Sequence, residues 1–189
     1  MRKKDDLKQK CIKEAVVQLI LEEGLQGTSI SKIAKAAGIS PATVYIYYEN
    51  KDTMLREIYT EYAEDMFQYV LRCISPSMGG KEIIAEIIRR YYNFIVENKE
   101  VFYFIVQYSS CPILNSRCGA MKGPEELSQL LTDLKDRHIF NNYNNDNLYA
   151  VLFSTVEMIA IKSCELETNA ADNLEELIAM IQKLCLKDL

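Results

Sequence analysis

The sequence predicts an all-α protein with an N-terminal three-helix domain, residues 1–52, and a larger helical domain, residues 53–189. Two observations carry this prediction. Apolar residues recur at intervals of three and four in almost every long segment, which is the spacing of one helix face. The breaks between these segments are short and rich in Gly, Pro, Ser or Asn, as expected for turns between helices.

A first helix is predicted from an apolar face that repeats at i, i+3, i+4, i+7 and i+8 and stops at Gly24. A helix-turn-helix pair cannot bury enough apolar surface alone, so this face supplies the third wall of a small core. Gly24 and Gly27 mark the loop that follows. The face consists of Ile12, Ala15, Val16, Leu19 and Ile20.

Residues 28–51, TSISKIAKAAGISPATVYIYYENK, form the segment around which the chain is organised. Thr28 is predicted to cap a short helix, and Gly38 ends that helix by taking the left-handed conformation. Ser40 then caps a second helix with Pro41 at its first position. Two helices joined by so short a turn cross steeply, which is the geometry of a helix-turn-helix unit. The inward face of the first helix is Ile30, Ile33, Ala34 and Ala37.

The second of these helices has an inward and an outward side. Val44 and Tyr48, four residues apart, are predicted to point into the core. The outward side is rich in Thr and Tyr hydroxyls, which can bond to phosphates or base edges. A three-helix packing unit that never meets DNA is the alternative, and this exposed polar surface weighs against it.

The order and spacing of this segment closely resemble the N-terminal domain of TetR-family transcriptional regulators, over about residues 10–60. The resemblance rests on a Thr-Ser-Ile start, Ile-Ala-Lys-Ala-Ala-Gly-Ile-Ser, Thr-Val-Tyr-x-Tyr-Tyr and Asn-Lys-Asp. It implies that the second helix reads the major groove of a double-stranded operator, with Thr28 and Lys51 on phosphates. The family often has Gly or Arg near Ala42, which leaves base preference open. The implied DNA-binding set is Thr28, Ser29, Ser40, Pro41, Ala42, Thr43, Tyr45, Tyr47 and Lys51.

Beyond this segment the helical pattern continues to the end of the chain. Asn50 is predicted to cap a long helix that joins the two domains, and residues 75–80 break the pattern. Residues 101–108 are almost all apolar and suit either a buried strand or a helix; their helical surroundings favour a helix at the centre of the second domain. The remaining predicted elements are helices at 81–97, 125–137, 147–166 and 172–187, a loop at 111–124 and a polar turn at 141–147.

Aromatic residues are dense in the second domain and suggest a pocket for an apolar or planar small molecule. Each could equally be ordinary core, although so many Tyr hydroxyls need partners when they are buried. The identity of the small molecule does not follow from the sequence. The candidate ligand-binding residues are Tyr91, Phe94, Phe104, Tyr108, Met121 and His138.

The last two predicted helices have broad apolar faces, which indicates that each packs against more than one partner element. The surplus stripe consists of Phe153, Val156, Ala160 and Cys164. The family resemblance implies that these helices form a homodimer through a four-helix bundle. The alternative is that the stripe packs inside its own chain.

Composition indicates a folded chain without a membrane partner. The charged start contains no apolar signal segment, and no stretch reaches the ~18 apolar residues of a membrane span, so we expect a cytoplasmic protein. Residues 1–53 carry a net charge of +2 and residues 54–189 a net charge of −7. Only the surface that meets phosphates has to be positive, so the acidic total does not exclude DNA binding.

The six cysteines are scattered without a CxxC pair, and we interpret them as reduced, mainly structural thiols. A redox or metal role for Cys111 and Cys118 stays open beside the interpretation as ordinary loop cysteines. The single histidine, His138, cannot complete a Cys/His zinc site at the usual spacing. No metal and no cofactor are therefore predicted.

Three functions compete at this point. The leading one is a dimeric transcriptional regulator that the resemblance implies is a repressor, released from DNA when a small molecule binds. An architectural DNA-binding protein without an effector is the second. A helical enzyme with an aromatic active site is the third, but the sequence shows no catalytic set and no phosphate-binding glycine pattern.

Overall fold

The computed structural model describes residues 2–109, 121–166 and 171–187, with the side chains of 2–4 and 165–166 left aside. Within these ranges the chain forms helices and no β-strand, so the all-α prediction is confirmed; one isolated bridge pairs Phe140 with Leu186. The helices are α1 (Arg2–Gly27), α2 (Ile30–Ala36), α3 (Pro41–Tyr47), α4 (Lys51–Leu71), α5 (Gly80–Glu97), α6 (Lys99–Ser109), α7 (Lys122–Asp136), α8 (Asn145–Leu166) and α9 (Ala171–Cys185).

The chain divides into two compact units, which we call the N-terminal and C-terminal units. The N-terminal unit contains residues 2–63 and 100–109, and the C-terminal unit contains 64–99, 121–166 and 171–187. The boundary between them falls inside α4. The predicted domain boundary after residue 52 stays a prediction. Most of the predicted loop at 111–124, with Cys111 and Cys118, lies outside the described residues.

In the N-terminal unit α1 and α3 both pack against α2. Gly24 interrupts α1 with a positive φ of 72°, so the helix breaks where the sequence predicts and then continues for one turn to Gly27. Val44 is 0% exposed and Tyr48 7%, and the predicted inward side of α3 is therefore confirmed. Burial raises the pKa of Tyr48 to about 12, with Glu61 and Glu57 as further causes.

Helix α6 belongs to the N-terminal unit from Glu100 onward. The segment is helical, as predicted over the strand alternative. Its Tyr108 ring stacks on Tyr59 of α4 with centroids 4.4 Å apart, and its Phe104 meets Tyr62 edge to face at 6.1 Å. Offset and edge-to-face pairs of this kind stabilise a core beyond the area they bury.

In the C-terminal unit α5 packs against both α8 and α9. Phe153 of α8 packs against Phe67 and Tyr91, at centroid distances of 6.2 and 4.8 Å. Phe153, Val156 and Ala160 are each 0% exposed within their own chain. For these three residues the interpretation as a surplus stripe for a partner is therefore wrong, and the alternative of packing within their own chain is confirmed. Cys164, the fourth residue of the stripe, is half-buried.

Helix α7 begins against α4 in an unusually close approach. The backbone N–H groups of Lys122 and Gly123 donate to the two carboxylate oxygens of Glu64, at 2.5 and 2.8 Å. A carboxylate satisfies the free N–H groups of a first helical turn and suits its partial positive charge. A Cβ built on Gly123 would lie 2.3 Å from the Cβ of Phe67, so only glycine fits at this contact.

Candidate nucleic-acid interface

The turn between α2 and α3 forms as local signals predict. Ala37 ends α2, Gly38 follows with φ 66°, and the Ile39 N–H donates to the Ala34 carbonyl at 2.9 Å. This is the Schellman arrangement, which satisfies the last carbonyls of a helix and requires a left-handed residue at the glycine position. The result is a sharp turn that sets the start of α3.

The first turn of α3 is capped from its own sequence. Ser40 Oγ accepts from the Thr43 N–H at 3.2 Å, and the two hydroxyls lie 2.9 Å apart. Pro41 occupies the start of the helix, where its missing N–H is no loss. The predicted cap is confirmed, and it occupies the Thr43 hydroxyl with an intramolecular contact.

The outward face of α3 is large and mostly apolar, so the prediction of an exposed surface rich in Thr and Tyr hydroxyls is wrong: Thr43 and Tyr47 are half-buried, and only Tyr45 of the three is exposed. Tyr45 is 55% exposed and Ile46 77%, and Pro41 and Ala42 are exposed as well. No described residue bonds the Tyr45 hydroxyl. Tyr47 differs, because its hydroxyl donates to Asp5 Oδ1 of α1 at 3.2 Å; burial, then this contact, raises the Tyr47 pKa. Tyr47 thus keeps its hydroxyl proton at neutral pH.

Helix α2 begins one residue later than predicted. Its N-cap is Ser29, whose Oγ accepts from the Lys32 N–H at 3.3 Å. Thr28 is 3% exposed and donates from Oγ1 to the Gly24 carbonyl at 2.8 Å. The prediction that Thr28 caps α2 is therefore wrong, and its buried hydroxyl closes the α1–α2 junction instead.

Lys51 has an internal role that the sequence does not indicate. Its ammonium group donates to the Leu25 carbonyl at 2.6 Å and also to that of Thr28. Cations suit the exposed carbonyls near a helix end, so Lys51 holds the end of α1 against the start of α4. Its predicted phosphate contact stays a prediction.

Lys51→Ala is expected to lower the free energy of unfolding by about 2 kcal/mol, since two carbonyls lose a charged donor. For a chain of this size that corresponds to a fall in melting temperature of roughly 4 to 8 °C. Thermal unfolding followed by circular dichroism measures it, with Lys35→Ala as the control. Equal melting temperatures for the two variants would contradict the internal role.

Lys35, an exposed cation of this surface, does not belong to the predicted DNA-binding set. Lys35 lies exposed on the last turn of α2, with no ion pair to any residue that the structure describes. The neighbouring Lys32 is occupied, because it bonds to Glu23 and donates to the Gly27 carbonyl at 2.8 Å. The signal was present: Lys35 follows the inward pair Ile33 and Ala34 and therefore points outward.

The predicted ligand-binding residues do not share one environment. Tyr91 and Phe94 are buried in the C-terminal unit, and Phe104 and Tyr108 in the N-terminal unit. Tyr91 donates to Glu157 Oε1 at 2.7 Å, and burial raises its pKa. Met121 lies half-buried just before α7, and His138 lies exposed just after its end. Whether any of the six contacts a small molecule stays a prediction.

A different set of residues lines an open cleft of about 360 Å³ in the C-terminal unit. Its wall is apolar with an Arg and two Asp at the edge. None of the six predicted ligand-binding residues belongs to it. The lining consists of Ile74, Ser75, Pro76, Ile83, Leu130, Asp133, Leu134, Asp136 and Arg137.

The described part of the chain contains neither a cluster of metal-binding side chains nor a membrane-spanning helix. No group of three His, Cys, Asp or Glu side chains there is arranged to hold a metal ion. None of the described helices combines the length and the apolar character needed to cross a membrane.

The segment that contains this surface is similar in sequence to known regulatory proteins. Residues 12–58 match the model of bacterial regulatory proteins of the tetR family. The chain is 30% identical over 135 residues to IcaR of Staphylococcus epidermidis, a biofilm operon HTH-type negative transcriptional regulator; this covers 70% of the chain and 68% of IcaR. It is also 30% identical over 82 residues to the fatty acid metabolism regulator protein of Bacillus subtilis.

The alignments cover different shares of this chain and of its relatives. The Bacillus subtilis alignment covers 43% of this chain and 42% of that protein, so the chain spans less than half of that relative. Among solved structures, a TetR family transcription regulator from Marinobacter aquaeolei VT8 superposes with a TM-score of 0.87 over 100% of both chains. At 22% identity this likeness shows a shared fold.

Proposed function

The chain belongs to the TetR family of bacterial regulatory proteins, and from that premise we propose that it is a DNA-binding transcriptional repressor released by a small molecule. The outward face of α3 is the observation that carries the proposal. A seven-residue helix exposes 77% of an isoleucine and 55% of a tyrosine, although Val44 on its other side is fully buried. A large apolar surface on so small an element is typical of a binding face.

The proposed interface places α3 in the major groove and the surface of α2 on the flanking backbone. Pro41, Ala42 and Tyr45 contact the groove. Thr43 and Tyr47 face phosphates or base edges at the margin. Ser29 and Ser40 cap their helices close to the backbone. We add Lys35 as a phosphate contact, because it is exposed and unpaired among the described residues, and we leave out the buried Thr28.

The experiment that tests this function is selection of bound sequences from random double-stranded DNA by the full chain, followed by footprinting. A two-fold dimer with one α3 per chain should protect inverted half-sites whose centres lie about one helical turn apart, ~34 to 36 Å, or farther if the dimer spans extra base pairs. Failure to enrich any sequence would overturn the function. A short, unsymmetrical footprint would overturn only the dimer.

Lys35→Ala is expected to flatten the dependence of operator affinity on salt. Each lost phosphate contact changes the log–log slope by about 0.9, and a dimer loses two, so the expected change is about 1.8. Fluorescence anisotropy at several salt concentrations measures the slope. Lys81→Ala, which removes an exposed lysine in the first turn of α5, is the matched control and should leave the slope unchanged. An unaltered slope for Lys35→Ala would remove Lys35 from the interface.

The same proposal includes a homodimer formed by α8 and α9. Met158 of α8 and Met180 of α9 are each 61% exposed, and Leu184 is 47% exposed. Large apolar side chains on the outer faces of two adjacent helices suit an isologous interface, in which the same patch of both subunits meets itself. The interface thus involves other residues than the stripe that the sequence suggested.

Release by a small molecule is the regulatory part of the proposal. If an effector lowers operator affinity 100-fold, linkage requires that DNA lowers effector affinity by the same factor, ~2.7 kcal/mol. The effector binds in the part of the chain after residue 80, and α4 connects that part to α3.

We propose further that the protein is not an enzyme and that it acts in the cytoplasm, where the bacterial chromosome lies. An architectural DNA-binding protein would behave differently in one respect. It would bind DNA, but no compound in a screen on the selected operator would release it.

A further inference from the structure

The outward face of α3 carries a contiguous strip of three side chains. Ala42, Tyr45 and Ile46 stand at i, i+3 and i+4, so they are neighbours on one helix face. Ile46 is the most exposed of the large apolar residues that the structure describes, at 77%. Its position opposite the buried Val44 gives it no core to pack against.

Two of the three hydroxyl groups of α3 already have partners within the chain. The Thr43 hydroxyl lies 2.9 Å from Ser40 Oγ, and the Tyr47 hydroxyl donates to Asp5 at 3.2 Å. The helix sequence PATVYIY contains no Arg, Lys, Asn or Gln, which are the residues that make paired hydrogen bonds to guanine or adenine. Apart from the single Tyr45 hydroxyl, α3 therefore offers the groove apolar contacts.

Thymine is the base that an apolar side chain recognises in the major groove, because only thymine presents a methyl group there, at C5. We propose that Ile46 contacts the C5 methyl group of one thymine in each half-site and thereby fixes the base at that position. This inference rests on the proposed DNA-binding function and names the chemistry by which that site reads sequence. Cytosine at the same position presents a hydrogen at C5 and leaves the Ile46 side chain without its partner.

The test uses deoxyuridine, which pairs like thymine but lacks the methyl group. The operator selected by the full chain is synthesised with thymines replaced by deoxyuridine, one symmetric pair at a time. Affinity is measured by fluorescence anisotropy for the parent, Ile46→Ala and Ile46→Val. One buried methyl contact corresponds to about a fourfold change in affinity. A symmetric pair should therefore weaken the parent about 15-fold.

Ile46→Ala should bind the thymine and deoxyuridine operators within about twofold of each other, because its shortened side chain no longer reaches the methyl group. Ile46→Val keeps the branched methyl groups and should retain most of the parent's discrimination. The exposure of Ile46 means that neither substitution disturbs the core, and thermal unfolding checks this.

Two outcomes would overturn the inference while leaving the function intact. In the first, the parent binds its operator but tolerates deoxyuridine at every position. In the second, Ile46→Ala discriminates against deoxyuridine as strongly as the parent, which would assign the contact to Tyr45 or Ala42. If the parent selects no DNA sequence at all, the proposed function fails with it, and Ile46 belongs to a protein-binding face.

Discussion

Gly123→Ala is expected to lower the free energy of unfolding by about 3 kcal/mol, at the upper end of the usual range for an overpacked core. The added Cβ would lie 2.3 Å from Phe67 Cβ and 2.6 Å from Phe67 Cγ. These atoms are close to the α4 backbone, so no flexible end of a side chain can give way. The start of α7 must therefore move away from α4 and from its Glu64 cap.

For a chain of this length the corresponding fall in melting temperature is roughly 6 to 12 °C. Gly79→Ala is the matched control, because a Cβ there meets only Glu82 Oε2 at 3.9 Å and the residue's φ of −73° suits alanine. At that position the loss of a favourable cap residue and the gain from a less flexible unfolded chain offset each other. A melting temperature for Gly123→Ala equal to that of Gly79→Ala would show that the contact relaxes without cost.

The helix-turn-helix segment could be predicted from the sequence because its determinants lie within a few residues of one another. Gly38 takes a left-handed conformation, and Ser40 caps α3 from three residues away. Such signals act through the backbone and do not depend on the rest of the fold. The inward positions of Val44 and Tyr48 followed from helical spacing alone.

Assignments that depend on distant contacts could not be made in this way. Thr28 and Ser29 are adjacent hydroxyl residues, and both fit a cap. Thr28 donates its hydroxyl hydrogen bond to the Gly24 carbonyl, so Ser29 is the residue that caps α2. Lys51 likewise bonds to carbonyls 23 and 26 residues away, whereas its sequence context indicates only a cation at a helix start.

The roles of Gly123 and of the apolar stripe on α8 were ambiguous in the sequence for a related reason. Gly123 suggested a loop, yet it lies in the first turn of α7, where its missing side chain admits Phe67. The face containing Phe153 and Val156 suggested a partner chain, yet both residues are buried against their own chain. Periodicity shows that a face must be covered but does not show by what.

Replacing Met158 and Met180 together with glutamate is expected to convert the proposed homodimer into a monomer and to weaken operator binding at least ~100-fold. An isologous interface contains each substitution twice, so four carboxylates would have to leave water at one surface. Burying unpaired charges costs more than such an interface can supply. Because both methionines are 61% exposed, the isolated chain should still fold.

The loss of affinity follows from the arithmetic of two linked half-sites. When one α3 is bound, the dimer holds the second close to its half-site, and this linkage raises overall affinity by roughly 10² to 10⁴. A monomer must bind each half-site independently. Sedimentation measures the mass of the assembly, and fluorescence anisotropy measures operator affinity. The matched control for both measurements is Val96→Glu, on the exposed side of α5. A double variant that keeps the dimer mass would place the interface elsewhere on the chain, and a monomeric parent would rule out the homodimer.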